Sequence, residues 1–127
     1  MCASLIYALR EALMMVEEEG LETRWGRHER HHRMLLAGLA ELQLSLLPPE
    51  GERLWTLNAV RVPEGVDEAA VRKRLLQIYN MEIGAGLGPL AGQIWRIGLM
   101  GASSTPALVT LLLASLGESL RPAAQPV

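Results

Sequence analysis

The sequence predicts an α+β fold, a two-layer sandwich in which helices cover a small, mostly antiparallel sheet. Two observations lead to this prediction. Helix-like and strand-like periodicities follow one another in the order helix, helix, strand, helix, strand, strand, helix, with no internal repeat. The chain has 127 residues and 50% of them are apolar, so it has the size of one domain that buries a core of its own.

Residues 1–42 are predicted to form long linking helices. Apolar residues recur at three- and four-residue steps over residues 5–19, and Gly20 ends this first helix. A second helical pattern extends from about residue 22 to residue 42, which at about 1.5 Å per residue gives a helix roughly 30 Å long. This length favours a connection between two domains over a compact bundle.

Residues 43–121 are predicted to form the α+β small domain. Pro48, Pro49 and Gly51 mark a turn, because proline does not continue a helix and glycine tolerates the backbone angles of a turn. The alternation over residues 54–62 predicts a strand, with Asn58 on one side and Ala59 on the other.

A helix is predicted next, over residues 68–79. Asp67 is a suitable N-cap, and Val71, Leu75 and Ile78 form the apolar stripe of this helix. Its other side carries charged residues, among them Lys73.

Two further strands and a last helix complete the prediction. Short strands are expected at residues 81–83 and 93–99, on either side of a glycine-rich loop at residues 84–89. Thr105 and Pro106 form an N-cap and first-turn pair that opens a helix to about residue 120. Residues 122–127 are predicted to be a tail.

The charge balance argues against several classes of partner. A formal charge of -2 gives no field that would attract nucleic acid or an anionic membrane, and no apolar run has the roughly 20 residues of a membrane span. The only cysteine, Cys2, cannot form an internal disulfide, and we identify no signal peptide. We therefore expect a protein that is not secreted, in the cytoplasm or in an organelle matrix.

The glycine-rich loop is a candidate phosphate site, because backbone amides in such loops bind phosphate. A dinucleotide-binding loop leads into a helix, whereas here a strand follows and Pro89 removes an amide donor. We favour a tight connection between two strands.

Three histidines form the second candidate site. His28, His31 and His32 lie at i, i+3 and i+4, a spacing that places imidazoles on one helical face as metal ligands. Three arginines within residues 27–33 would repel a divalent cation, so we favour a solvated basic face and predict no metal site.

Lys73 and Cys2 are the remaining reactive side chains. Lys73 is the only lysine that could form a Schiff base with an aldehyde cofactor, but it lies between Arg72 and Arg74 on the side of its helix that we predict to be exposed. Cys2 lies at the terminus with no paired base. The sequence thus assigns no catalytic residue.

Arg96 is the strongest candidate for ligand binding. In the predicted strand at residues 93–99, Trp95, Ile97 and Leu99 lie on one face, which we take as the core. Arg96 lies on the other face next to Gly98, where its planar guanidinium could bind a carboxylate. An arginine on an edge strand in water is the alternative.

Two motifs around Arg96 carry a resemblance to a known family. Residues 82–89, Glu-Ile-Gly-Ala-Gly-Leu-Gly-Pro, and residues 93–101, Gln-Ile-Trp-Arg-Ile-Gly-Leu-Met-Gly, resemble the C-terminal signature of the alanine-glyoxylate and serine-pyruvate group of class V, fold type I aminotransferases. The residues from Tyr7 to Leu13, the glutamate-rich run before Gly20-Leu21-Glu22, and the residues from Trp25 to Arg33 resemble the long linking helices of that family.

The resemblance implies the C-terminal small domain of an enzyme that uses pyridoxal 5'-phosphate (PLP). It implies that Arg96 binds the α-carboxylate of an amino-acid or keto-acid substrate, with Gly84 and Gly86 as neighbours of the site. For the complete protein, the resemblance also implies a homodimer. The family's compartments include the peroxisome and the mitochondrion.

The large domain that holds the cofactor lysine in this family is not found in the chain. We therefore expect the isolated chain to be inactive and not to bind PLP covalently. The alternative is a fragment or interaction module without enzymatic activity.

Overall fold

The computed structural model describes residues 2–121, so the predicted tail at residues 122–127 lies outside the described residues. Helices α1 (Ala3–Glu19) and α2 (Leu21–Glu41) come first, followed by strand β1 (Leu57–Arg61), helix α3 (Glu68–Tyr79), strand β2 (Gly84–Ala85), strand β3 (Ile94–Gly98) and helix α4 (Pro106–Leu120). This order confirms the predicted α+β class.

The sheet has three antiparallel strands in the order β1-β3-β2, so β3 is its centre. Asn58 and Val60 of β1 and Trp95 and Ile97 of β3 are buried on the face that the helices cover. The Trp95 indole donates a hydrogen bond of 3.3 Å to the Glu68 carbonyl at the start of α3. The strand alternation predicted for β3 is therefore confirmed.

The buried core joins the sheet to three helices. Leu35 and Leu39 of α2, Val71 and Leu75 of α3, and Val109, Leu112 and Leu116 of α4 pack in one cluster with Val60, Trp95, Ile97 and Leu99. Helices α2 and α4 approach each other closely at Gly38, because a Cβ at this position would lie 2.2 Å from Leu113 Cδ1 of α4. The second half of α2 is thus part of the core.

Both predicted helix caps are observed. Asp67 accepts a hydrogen bond from the Ala70 amide at 3.0 Å, and Thr105 accepts one from the Leu108 amide at 3.2 Å. Pro106 occupies the first helical turn, where a missing amide hydrogen costs nothing.

Three details of the predicted elements are wrong. The strand predicted over residues 54–62 begins only at Leu57, and Leu54 is exposed. The strand predicted at residues 81–83 lies instead at Gly84–Ala85, because these two residues are the ones that pair with β3. Ile78 was expected in the buried stripe of α3 but is 59% exposed.

Helix α1 differs from the others in its packing. None of its residues from Ala3 to Glu19 is buried, although its sequence is largely apolar. In residues 2–121, no helix combines the length and the apolar character that crossing a membrane requires.

Candidate functional site

Arg96 lies at the centre of the sheet face that points away from the helices. Its register partners are Ala59 on β1 and Gly84 on β2, both small. Leu57, Arg61 and Gly98 on the same face are exposed, whereas Arg96 itself is half-buried. The alternative of an edge-strand arginine is wrong, because β3 is flanked on both sides.

The backbone of β2 orients the Arg96 side chain. Its Nε donates a hydrogen bond of 2.7 Å to the Ala85 carbonyl. No carboxylate among residues 2–121 pairs with Arg96, whereas Arg24, Arg27, Arg33, Arg72 and Arg74 each pair with a glutamate. The two terminal nitrogens of Arg96 lie in one plane and can donate two parallel hydrogen bonds to a carboxylate.

Gly84 and Gly86 have different surroundings. A Cβ at Gly84 would lie 3.3 Å from Arg96 Nη2 and 3.4 Å from its Nε, so the absence of a side chain there leaves room for the guanidinium. A Cβ at Gly86 would lie 1.9 Å from the Leu90 carbonyl oxygen and 2.9 Å from Ile94 Cγ1. The structure therefore brings Gly84 to Arg96, while Gly86 permits the close packing of the connection between β2 and β3.

Sequence reasoning missed the small neighbours Ala59 and Ala85. Ala59 faces Arg96 across the β1–β3 ladder, and Ala85 supplies the carbonyl that holds its Nε. The strand register is needed to identify both contacts. The sequence offered one indication of a space on this face, the small side chain of Ala59 between Leu57 and Arg61.

The histidines of α2 are not a solvated face, so that prediction is wrong. His28, His31 and His32 are 6%, 7% and 4% exposed, and each ring is hydrogen-bonded to the protein. Among the residues that the structure describes, no group of three or more His, Cys, Asp or Glu side chains could hold a metal ion. The i, i+3, i+4 spacing of the histidines does not indicate whether their face of α2 is exposed or packs against the rest of the fold.

Lys73, the one lysine of the sequence, lies away from the candidate site. Lys73 is exposed on α3, beside an Arg72 that is paired with Glu68. The core face of the sheet separates α3 from the open face with Arg96, so no lysine of residues 2–121 lies at the candidate site. Cys2 is exposed at the start of α1.

Comparisons with known proteins relate the sequence and the fold of this chain to one group of enzymes. No protein-family model matches the chain. The chain is 42% identical over 113 residues to the (S)-ureidoglycine–glyoxylate transaminase of Bacillus subtilis, covering 89% of this chain and 27% of that protein. It is 38% identical over 120 residues to the alanine–glyoxylate aminotransferase of Drosophila melanogaster, covering 94% of this chain and 30% of that protein.

The solved structure of an alanine–glyoxylate aminotransferase from Nostoc sp. matches with a TM-score of 0.88 and 46% identity. That match covers 91% of this chain and 30% of the other, so the chain spans less than a third of the relatives it matches. Sequence and fold agree over nearly the whole chain, which therefore belongs to the class V aminotransferases of the alanine–glyoxylate group and has the α+β fold of their C-terminal domain.

Proposed function

We propose that this chain is the C-terminal small domain of a PLP-dependent transaminase, in which Arg96 binds the carboxylate of the amino-acid or keto-acid substrate. The observation that carries the proposal is the position of Arg96: a half-buried guanidinium on the open face of the central strand, without a carboxylate partner among residues 2–121. A bidentate guanidinium–carboxylate pair is among the strongest polar contacts in proteins.

Glyoxylate is the proposed amino acceptor, with pyruvate as a second keto acid, and a small amino acid such as alanine or serine is the proposed donor. The names of the two relatives above both include glyoxylate as a substrate, which supports this choice. The cofactor would supply the carbanion chemistry in the complete protein and would be held by residues other than those described here. In the proposed reaction, this chain would bind and orient the substrate carboxylate.

Three further proposals follow from family membership. Residues 1–42 would link the small domain, residues 43–121, to a large cofactor-binding domain, and the exposed surface of α1 supports such a neighbour. The complete protein would be a homodimer. Its compartment would be the cytoplasm or an organelle matrix, including the peroxisome or mitochondrion.

The test is the substitution of Arg96 in the complete protein. We expect Arg96→Ala to lower kcat/KM by about two to three orders of magnitude for each α-amino acid, because removing one partner of a buried charge pair costs about 2–5 kcal/mol. Arg96→Lys should restore only part of the loss, since a point charge does not reproduce the planar fork. The absorbance of bound PLP should stay unchanged in both variants.

Arg61→Ala is the matched control, because Arg61 lies on the same sheet face but is exposed. It should retain kcat/KM within a few-fold, as exposed charges are worth about 0–1 kcal/mol. Near-parental activity of a folded Arg96→Ala protein would show that the carboxylate-binding role is wrong.

The alternative function is an interaction module without activity, and the exposed position of Lys73 favours it for the isolated chain. Adding PLP to the isolated chain should give no protein-aldimine absorbance band. A band that disappears in Lys73→Ala would refute this expectation and would assign cofactor chemistry to α3.

A further inference from the structure

Helix α2 carries a group of buried and partly buried polar side chains that the proposed transaminase function does not use. We call Arg27, His28, His31 and His32 the α2 latch, because each of them binds an element outside α2. The chain contains three histidines, and all of them belong to this group.

Three members of the latch bind the connection between β3 and α4. The Arg27 guanidinium donates to the Gly101 carbonyl at 3.0 Å and to the Ser104 carbonyl at 2.8 Å. His31 Nδ1 and the fully buried Ser104 Oγ share a hydrogen bond of 3.0 Å.

His28 has a hydrogen-bond partner at each of its two ring nitrogens. Its Nδ1 donates to the Arg24 carbonyl at 2.7 Å, and its Nε2 accepts from the Gly101 amide at 3.0 Å. His28 thereby joins α2 to the start of the β3–α4 connection.

His32 binds the sheet itself. Its Nδ1 lies 2.8 Å from Oδ1 of Asn58, a β1 residue that is 1% exposed. The latch therefore holds α2 to both β1 and the β3–α4 connection.

The His31 and His32 rings have different charged surroundings. His31 faces Arg27, Arg30 and His28 of its own helix and Ser104 of the β3–α4 connection, while Glu19 of α1 pairs with Arg27. His32 faces a mixed set that comprises Arg33 and Glu29 of α2, Arg53 and Glu50 of the segment before β1, and Asn58 of β1.

We propose that the α2 latch is acid-sensitive: protonation of His31 and His32 places positive charge in buried positions beside guanidinium groups, and the chain relieves this by releasing α2 from the sheet and from the β3–α4 connection. The inference depends on these contacts alone and not on the transaminase function.

The direction of the pH dependence follows from the burial of the rings. Burial lowers the pKa of His31, and the charges of Arg27 and Arg30 lower it further. Burial likewise lowers the pKa of His32 against the opposing effect of Asn58. Because unfolded histidine has a pKa of about 6.5, the stabilisation is fully present above that pH and is lost as the pH falls below it.

Urea unfolding of the full 127-residue chain at pH 7.5, 6.5 and 5.5 tests the proposal. We expect the midpoint to fall by on the order of 0.5–1 M between the first and last pH. Amide hydrogen exchange at Gly101 and Ser104 should accelerate before exchange in β3 does, since release of α2 precedes unfolding of the sheet.

The double variant His31→Asn/His32→Asn keeps a donor near each Nδ1 position but does not titrate, and its midpoint should change little over the same range. Arg10→Gln, which alters an exposed charge on α1, should keep the slope of the parent chain.

Two results would overturn the proposal. One is an unchanged pH slope in the double Asn variant. The other is a titration of the His31 and His32 ring signals in the parent chain, followed by NMR, with midpoints at or above about 6.5. The second measurement decides the matter even if the double variant does not fold.

Discussion

Arg96 is positioned by small residues and by backbone. Ala59 and Gly84 flank it in the sheet, and the Ala85 carbonyl holds its Nε. A hydrogen bond to a carbonyl orients a guanidinium without neutralising it, whereas an ion pair would occupy the donors that a substrate needs. This distinction separates Arg96 from Arg27, whose hydrogen bonds with Glu19 help lower the pKa of that carboxyl to about 2.

Gly86→Ala tests the close contact behind the site. The new Cβ would lie 1.9 Å from the Leu90 carbonyl oxygen, and backbone cannot move aside as a flexible side chain does. We expect the free energy of unfolding in urea to fall by about 1–3 kcal/mol. Gly51→Ala is the control: nothing lies within 4 Å of its Cβ, so stability should be unchanged or rise by up to about 1 kcal/mol.

At the scale of the elements, local signals determine where helices begin. Asp67 and Thr105 each bond an amide three residues ahead, and in both cases the following residues form a helix of twelve or fifteen residues. These bonds satisfy amides that have no partner within the helix.

Replacing Asp67 tests the first of these caps. Asp67→Ala should lower the free energy of unfolding by about 1 kcal/mol, because the Ala70 amide loses its acceptor. Asp67→Asn keeps the acceptor and should stay within about 0.5 kcal/mol of the parent. Equal losses in both variants, measured by urea unfolding, would show that the charge rather than the cap matters.

The same local signals explain what the sequence could predict. The bounds of α3 and α4 were predicted almost to the residue, because caps and apolar spacing lie within each helix. Strand β2 was placed three residues too early, since its position depends on pairing with Arg96 and Trp95. The α2 histidines were assigned to solvent because their partners Asn58 and Ser104 are far away in sequence.

At the scale of the whole molecule, one side of the protein is apolar and uncovered. Leu5, Leu9 and Leu13 of α1 are 70%, 60% and 60% exposed, and Tyr7 is 72% exposed. Contiguous apolar surface of this kind marks an interaction site in a folded protein. It is the surface that a large neighbouring domain would cover under the proposed function.

The isolated chain should therefore self-associate through α1. We expect its apparent mass in size-exclusion chromatography to rise with concentration, and Leu5→Glu/Leu9→Glu to reduce that rise, because the charges break the apolar strip. Leu76→Glu/Ile78→Glu alters a pair on α3 that is also exposed, at 47% and 59%, and should leave the concentration dependence in place. A parent chain that stays monomeric at high concentration would argue against the fragment interpretation.

The strand order β1-β3-β2 also has a consequence for biosynthesis. β1 and β2 leave the ribosome first, yet neither pairs with the other, because β3 lies between them. The ladder between Leu57 and Gly98 closes only after most of the described chain has been synthesised. The five residues of β3 thus complete the sheet, and because Arg96 is one of them, the candidate carboxylate site forms in the same step. A nascent chain that has not yet formed the sheet therefore has no such site.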